Sequence, residues 1–136
     1  MPTTTTRISP FLRRVLLADA AASGLTGLVM ALGADAPLFG LLGVPEALLR
    51  YAGLALLPFA GFVLWLAARG AAVPRLAIWV VILGNALWAV DSLALLLSGW
   101  IAPTALGIGF VAAQALAVAV LAELQYVGLR RSQPAA

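Results

Sequence analysis

The sequence predicts an all-α fold, an integral membrane bundle of four transmembrane helices with the N and C termini cytoplasmic. Hydrophobic residues make up 64% of the 136 residues and charged residues only 10%, whereas soluble domains average about 45–50% and about 25%. Four apolar runs reach the length of about 20 residues that crosses a hydrocarbon core of about 30 Å. We therefore expect residues 1–136 to form a single membrane domain.

The predicted helices cover residues 12–33, 47–68, 76–98 and 104–128, and Gly and Pro residues punctuate the connections between them. The runs are continuously apolar rather than alternating, which favours helices over a barrel. The longest connection, 34–46, contains an apolar stretch that is too short to span a bilayer. We expect an interfacial loop on the outer side there, with a lid against the bundle as the alternative.

The basic residues predict the orientation. All eight are Arg, and seven lie on the side that the two chain ends share: Arg7, Arg13, Arg14, Arg69, Arg75, Arg130 and Arg131. Only Arg50 lies on the other side. An excess of Arg marks the cytoplasmic side of a membrane protein. Arg used without Lys, in a chain rich in Ala, Gly and Leu, indicates a GC-rich bacterial genome, so we expect a multi-pass protein of the bacterial inner membrane.

Several functions are excluded by composition. The chain has no His and no Cys, so disulfides, Cys/His zinc sites, iron–sulfur clusters and thiol catalysis have no residues to build them. We expect no metal, no cofactor and no catalytic activity. The basic residues flank apolar runs as topology signals, and nucleic acid is therefore not an expected partner. The expected partner is the lipid bilayer.

Polar residues inside the spans are the candidate functional residues. An ionisable side chain in hydrocarbon costs about 2.5–3.5 kcal/mol on insertion scales, so it normally faces the bundle interior with a partner. In the first predicted helix, Asp19, Ser23 and Thr26 follow one another at helical spacing and form one polar stripe. Asp19 is therefore expected to be buried with Ser23 beside it.

The third predicted helix carries a second polar face. Asn85, Trp88 and Ser92 share it, with Asp91 close to its edge. Counting residues from the cytoplasmic helix ends predicts two polar layers. The inner layer contains Asp19, Asn85 and Glu123, and the outer layer contains Asp91 and Gln114.

Each buried acid needs a partner. Arg50 is expected to extend towards Asp91, and Arg14 and Arg75 towards Asp19 or Glu123. The alternative is that Asn85, Gln114 or Ser23 satisfies the acids as structural contacts between helices. In the second predicted helix, Pro58 is expected to produce a kink.

Three functions remain open, and the first is preferred. It is a non-enzymatic helix bundle that self-associates, or an accessory subunit of a membrane complex. Small residues spaced four apart, as in Ala105 and Gly109 or Ala113 and Ala117, allow helices to approach closely and favour this function. The contacts are either within one chain or between chains.

The second function is a small proton-coupled transporter or ion pathway, in which Asp19 and Asp91 titrate and Asn85, Trp88 and Gln114 line the route. The third is a protein that binds lipid or another hydrophobic ligand, with residues 34–46 gating a pocket beside Trp88.

Overall fold

The computed structural model describes residues 5–69 and 72–132. Its helices are α1 (Pro10–Gly33), α2 (Pro37–Gly40), α3 (Glu46–Arg69), α4 (Arg75–Ser98) and α5 (Ala105–Arg131). The four long helices are those predicted, and their ends differ from the predicted ends by at most three residues. Each is long and apolar enough to cross a membrane. Large apolar side chains such as Leu25, Leu83 and Leu116 cover the outside of the bundle, as expected for helices that face lipid.

Two short strands form a ribbon at one end of the bundle, here called the ribbon end. Strand β1 (Thr5–Arg7) pairs antiparallel with β2 (Ala72–Pro74), the segment before α4. Ser9 caps α1, and its backbone N–H donates to Ser132 Oγ at 3.3 Å. Strands of three residues are too short to leave a periodic pattern in the sequence. This ribbon was therefore not predicted.

The opposite end, here called the loop end, is closed by the connection between α1 and α3. Thr104 caps α5, and its hydroxyl donates to the Leu41 carbonyl oxygen at 2.6 Å. The Thr104 backbone N–H donates to the Leu42 carbonyl oxygen at 3.0 Å, and Leu42 is buried. The predicted interfacial loop thus packs on the first turn of α5.

The long helices pack as two pairs, α1 with α3 and α4 with α5, and α3 touches α4 at few residues. The first pair crosses at Gly27 and Gly53. A Cβ atom added to Gly53 would lie 2.6 Å from the Ala31 backbone N and 2.8 Å from the Gly27 carbonyl oxygen. Because glycine has no side chain, the two backbones come into direct contact there. The separation of the pairs leaves space between them.

The main apolar core lies at the ribbon end. This ribbon-end cluster contains Ile8, Leu12, Leu16, Ala20, Val63, Leu66, Ala67, Val73, Ile78, Val81, Ile82 and Leu129. It joins all four long helices to the ribbon, and apolar burial of this kind excludes water. Helix α3 runs without interruption through Pro58, which is exposed. The predicted kink at Pro58 stays a prediction.

The glycine crossing leads to a test. We expect Gly53→Ala to lower the free energy of unfolding by about 1–3 kcal/mol, because the added methyl group forces α1 and α3 apart. Gly61→Ala in the same helix is the matched control, since nothing lies within 4 Å of a Cβ atom there. It should be neutral, or stabilising by up to about 1 kcal/mol through helix propensity. Thermal unfolding of both variants in one detergent, followed by circular dichroism, makes the comparison, and equal effects would contradict it.

Candidate functional site

Asp19 forms a buried hydrogen-bond network that joins three helices. Its side chain is 1% exposed, and those of Asn85 and Gln125 are 3% and 0% exposed. Ser23 Oγ donates to Asp19 Oδ1 at 2.9 Å, one turn along α1. Asn85 Nδ2 of α4 and Gln125 Nε2 of α5 both donate to Asp19 Oδ2, at 2.7 and 2.6 Å. We call Asp19, Ser23, Asn85 and Gln125 the Asp19 network.

The partners of Asp19 are neutral donors. Asn85 Nδ2 also donates to Gln125 Oε1 at 2.9 Å, which orients both amides with their NH₂ groups towards the carboxylate. In these three contacts the Asp19 carboxylate only accepts hydrogen bonds. Within residues 5–69 and 72–132, no Arg forms an ion pair with Asp19. Three neutral hydrogen bonds therefore compensate for the water that a buried carboxylate loses.

The structure brings Asp19 together with Ser23 and Asn85 but not with Glu123. Glu123 is exposed, and Gln125 supplies the contact from α5 instead. At 3.6 residues per turn, Glu123 lies about 180° around the helix from Gln114, whereas Gln125 lies within about 20° of it. The helical phase between the two Gln residues was the signal that could have found Gln125.

A cavity of about 170 Å³, here called the middle cavity, adjoins the Asp19 network on the side towards the loop end. Ser23 and Asn85 line it, together with the apolar side chains of Leu56, Phe59 and other residues. Asn85 Oδ1 accepts no hydrogen bond from any residue that the structure describes. The network thus presents a free acceptor beside the cavity.

A second cavity, of about 250 Å³, lies closer to the loop end between the two helix pairs. This loop-end cavity shares Leu56 and Trp88 with the middle cavity. Most of its lining is apolar, and its polar side chains are Thr26, Asp91, Ser92 and Gln114, besides the indole N–H of Trp88. The two cavities follow one another from the loop end towards Asp19.

Trp88 forms the wall between the cavities. Its indole Nε1 donates to Gln114 Oε1 at 2.9 Å, and Gln114 Nε2 donates to the Val111 carbonyl oxygen at 3.0 Å. Ser92 Oγ donates to the Trp88 carbonyl oxygen at 2.8 Å. Trp88, Ser92 and Gln114 are therefore held within α4 and α5, and their polar groups already have partners.

Asp91 departs from its predicted setting. Asp91 and Gln114 line one cavity, as the predicted outer layer implies, but Asp91 is exposed rather than buried. Its position lies about 120° around α4 from Asn85, which turns it away from the bundle axis. No hydrogen-bond or ion-pair partner of Asp91 is found among the described residues.

The predicted Arg partners are wrong. Arg50 Nη2 lies 3.2 Å from Glu46 and 3.8 Å from Asp35, and Arg50 Nε donates to the Ala31 carbonyl oxygen at 3.4 Å. These acids are nearer in the chain and more accessible than Asp91. Arg14 and Arg75 form no ion pair in the described part of the chain either.

Gln125 provides a test of the network. We expect Gln125→Leu to destabilise the protein by about 1.5–3 kcal/mol, because it removes a hydrogen bond to a buried charged group. Glu123→Leu, two residues away on the exposed face, should change stability by no more than about 0.5 kcal/mol. The combination of Gln125→Leu with Asp19→Leu should cost less than the sum of the two single changes, as measured by thermal unfolding. Strict additivity would contradict the contact.

Comparison of the chain with models of protein families, with curated proteins and with solved structures gave no match. Among the described residues, no group of three or more acidic, His or Cys side chains could hold a metal ion. The site combines a buried carboxylate with a neighbouring cavity that two of its hydrogen-bond partners, Ser23 and Asn85, line.

Proposed function

We propose that this protein is a small proton-coupled transporter of the bacterial inner membrane. The observation that carries this proposal is Asp19, a fully buried carboxylate whose hydrogen-bond partners Ser23 and Asn85 line the middle cavity. Ionisable residues inside membrane helices face cavities or partners and mark the routes of ions and solutes. In this proposal, the loop-end cavity receives the solute and Asp19 carries the proton.

The ribbon end is the cytoplasmic end in this proposal. Seven Arg residues lie there, on the ribbon or at the helix ends next to it. Three of them lie over aromatic rings at distances of 5.0–5.8 Å, in the pairs Arg69 with Trp65, Arg130 with Tyr126 and Arg131 with Phe11. Basic and aromatic side chains at one level of a bundle are typical of a membrane surface, and the excess of Arg is typical of its cytoplasmic face.

The two ends of the bundle differ in a way that fits alternating access. At the ribbon end, the ribbon-end cluster packs tightly beyond Asp19. Towards the loop end, the cavities separate the α1–α3 pair from the α4–α5 pair. A route that is open on one side of a binding group and closed on the other requires the two pairs to move relative to each other during transport.

The Asp19 network couples the proton to this movement. The ionised carboxylate attracts amide donors from α4 and α5 and holds α1 against them. Protonation removes the negative charge, and the hydrogen bonds to neutral groups that remain are weaker. The contact between the helix pairs at the ribbon end then loosens, and the cavity can open towards the cytoplasm.

Cysteine accessibility tests this proposal, since the chain has no Cys of its own. In proteoliposomes, Ser92→Cys in the loop-end cavity should react with a membrane-impermeant maleimide added on the loop-end side. Ala67→Cys in the ribbon-end cluster should be unreactive from either side. Adding Asp19→Asn should raise labelling at residue 67 from the ribbon-end side by a factor of about 10 and lower it at residue 92. This factor corresponds to the loss of a charged hydrogen bond.

The matched control is Glu123→Gln, which neutralises an acid on the exposed face of α5. It should leave labelling at both positions unchanged. If Asp19→Asn also leaves both unchanged while the protein still melts at a similar temperature, the transporter proposal fails. A protein that only binds a hydrophobic ligand in the loop-end cavity would give that result.

Self-association is a second candidate function, favoured by one face of α5. Ala105, Gly109, Ala113 and Ala117 follow one another at intervals of four residues, and all are exposed. A Cβ atom added to Gly109 would meet nothing within 4 Å. Such a face allows the α5 helix of a second copy, or a helix of another membrane protein, to approach closely.

We expect Gly109→Leu to abolish dimers of the protein in lipid, because the larger side chain keeps the two helices apart. Gly61→Leu on α3 is the control, since Gly61 also faces open space but lies outside this stripe. Single-molecule photobleaching in lipid vesicles counts the copies in each complex. A wild-type protein that is monomeric would contradict self-association, and so would a Gly109→Leu variant that still dimerises.

A further inference from the structure

We propose that the loop-end cavity binds an organic cation with a single aromatic ring, and that the carboxylate of Asp91 is its counter-ion. This inference rests on the proposed function where it treats the bound molecule as the transported solute. Binding itself is a property of the cavity and can be measured without transport. The inference also assigns different roles to the two acids inside the helices, since Asp19 carries the proton and Asp91 recognises the solute.

The charge of Asp91 is not compensated by the protein. It lines the loop-end cavity, and within residues 5–69 and 72–132 it has no hydrogen-bond or ion-pair partner. Arg50, the basic residue of the loop end, is engaged by Glu46, Asp35 and the Ala31 carbonyl oxygen. Asp91 is exposed at this cavity, so its charge is accessible to a cation, and charge attraction is strong beside an apolar wall. The cation must therefore come from outside the chain.

The other polar groups of the cavity narrow the chemistry of that cation. The Trp88 indole N–H, the Gln114 amide and the Ser92 hydroxyl are each hydrogen-bonded within the protein. The remaining wall is formed mostly by aliphatic side chains and Phe110. A small hydrated metal ion would find few oxygen ligands here besides the Asp91 carboxylate. An ammonium group that carries carbon substituents gains from the apolar wall and needs few hydrogen bonds.

The size and the aromatic lining of the loop-end cavity indicate what the rest of the bound cation consists of. A dry apolar cavity of about 150 Å³ holds one benzene molecule. The loop-end cavity, at about 250 Å³, therefore has room for one ring and a small ammonium group. Trp88 and Phe110 line it, and aromatic side chains attract both rings and alkylammonium groups.

The experiment uses benzyltrimethylammonium as the probe. The protein is reconstituted in lipid nanodiscs, and binding is measured by equilibrium dialysis against empty nanodiscs. Wild-type protein should bind the probe saturably, and Asp91→Asn should weaken binding at least about tenfold, since a charge pair in an apolar site is lost. Neopentylbenzene has the same shape without the charge, and it should bind more weakly than the cation to the wild type and equally well to both proteins.

Glu123→Gln is the matched control, because Glu123 is an exposed acid that does not line the cavity. It should bind the probe as the wild type does. Thermal unfolding of Asp91→Asn should match that of the wild type, because Asp91 has no partner to lose. Three results would each overturn the inference: no saturable binding to the wild type, an unchanged affinity in Asp91→Asn, or equal affinities of the wild type for the cation and for its neutral isostere.

A second measurement separates this inference from the proposed function. In proteoliposomes that contain a pH-sensitive dye, a gradient of benzyltrimethylammonium should drive proton movement through the wild type and not through Asp19→Asn. If the cation binds through Asp91 but drives no proton movement, the transporter proposal fails and the binding site stands. If it does not bind, the inference fails, and the cysteine labelling decides on the transporter proposal independently.

Discussion

The arrangement of this bundle depends on one constraint, which is that a carboxylate is buried among helices with only neutral partners. An unpaired acid at Asp19 would cost more than packing around it returns, so the surrounding helices must bring donors to it. Ser23 comes from the same helix and adds no constraint on the fold. Asn85 and Gln125 come from α4 and α5, and their contacts fix how those two helices are rotated about their axes relative to α1.

The same constraint explains why the two ends of the bundle differ. On the ribbon side of the network, the helices held together by Asp19 are close enough to pack a continuous apolar cluster around Leu16 and Val81. On the loop side, α1 packs closely against α3, because Gly27 and Gly53 let those two backbones touch. The α4–α5 pair does not follow, and the space that remains is the pair of cavities on either side of Trp88.

The four long helices could be predicted from the sequence, because hydrophobic length is a property of each segment alone. The contact of Asp19 with Ser23 was also predictable, since it follows from helical spacing within α1. The contact of Asp19 with Asn85 could be predicted because the two residues lie at a similar depth in the bundle. The partner from α5 was missed because residues were compared by their depth along the helix and not by the face of the helix on which they lie. Glu123 has a suitable depth but the opposite face, and Gln125 has both the depth and the face.

The predicted pairing of Arg50 with Asp91 failed for a different reason. Depth and charge made the two residues compatible, but the sequence does not show how the 34–46 connection folds. Arg50 lies next to acids that are free to reach it, Glu46 one turn earlier in α3 and Asp35 in that connection. Glu46 and Asp35 are exposed acids, so they pair with Arg50 at little cost in lost hydration.

Asp19 and Asp91 also differ in what their charge can affect. The partners of Asp19 belong to three helices, and any change in its charge changes the energy with which those helices hold together. Asp91 has no partner among the described residues, and a change in its charge alters only what the cavity attracts. A coupled transporter needs one group whose charge affects helix packing and another group that binds the solute. The proposed division of roles between Asp19 and Asp91 matches their contacts, because only Asp19 is hydrogen-bonded to other long helices.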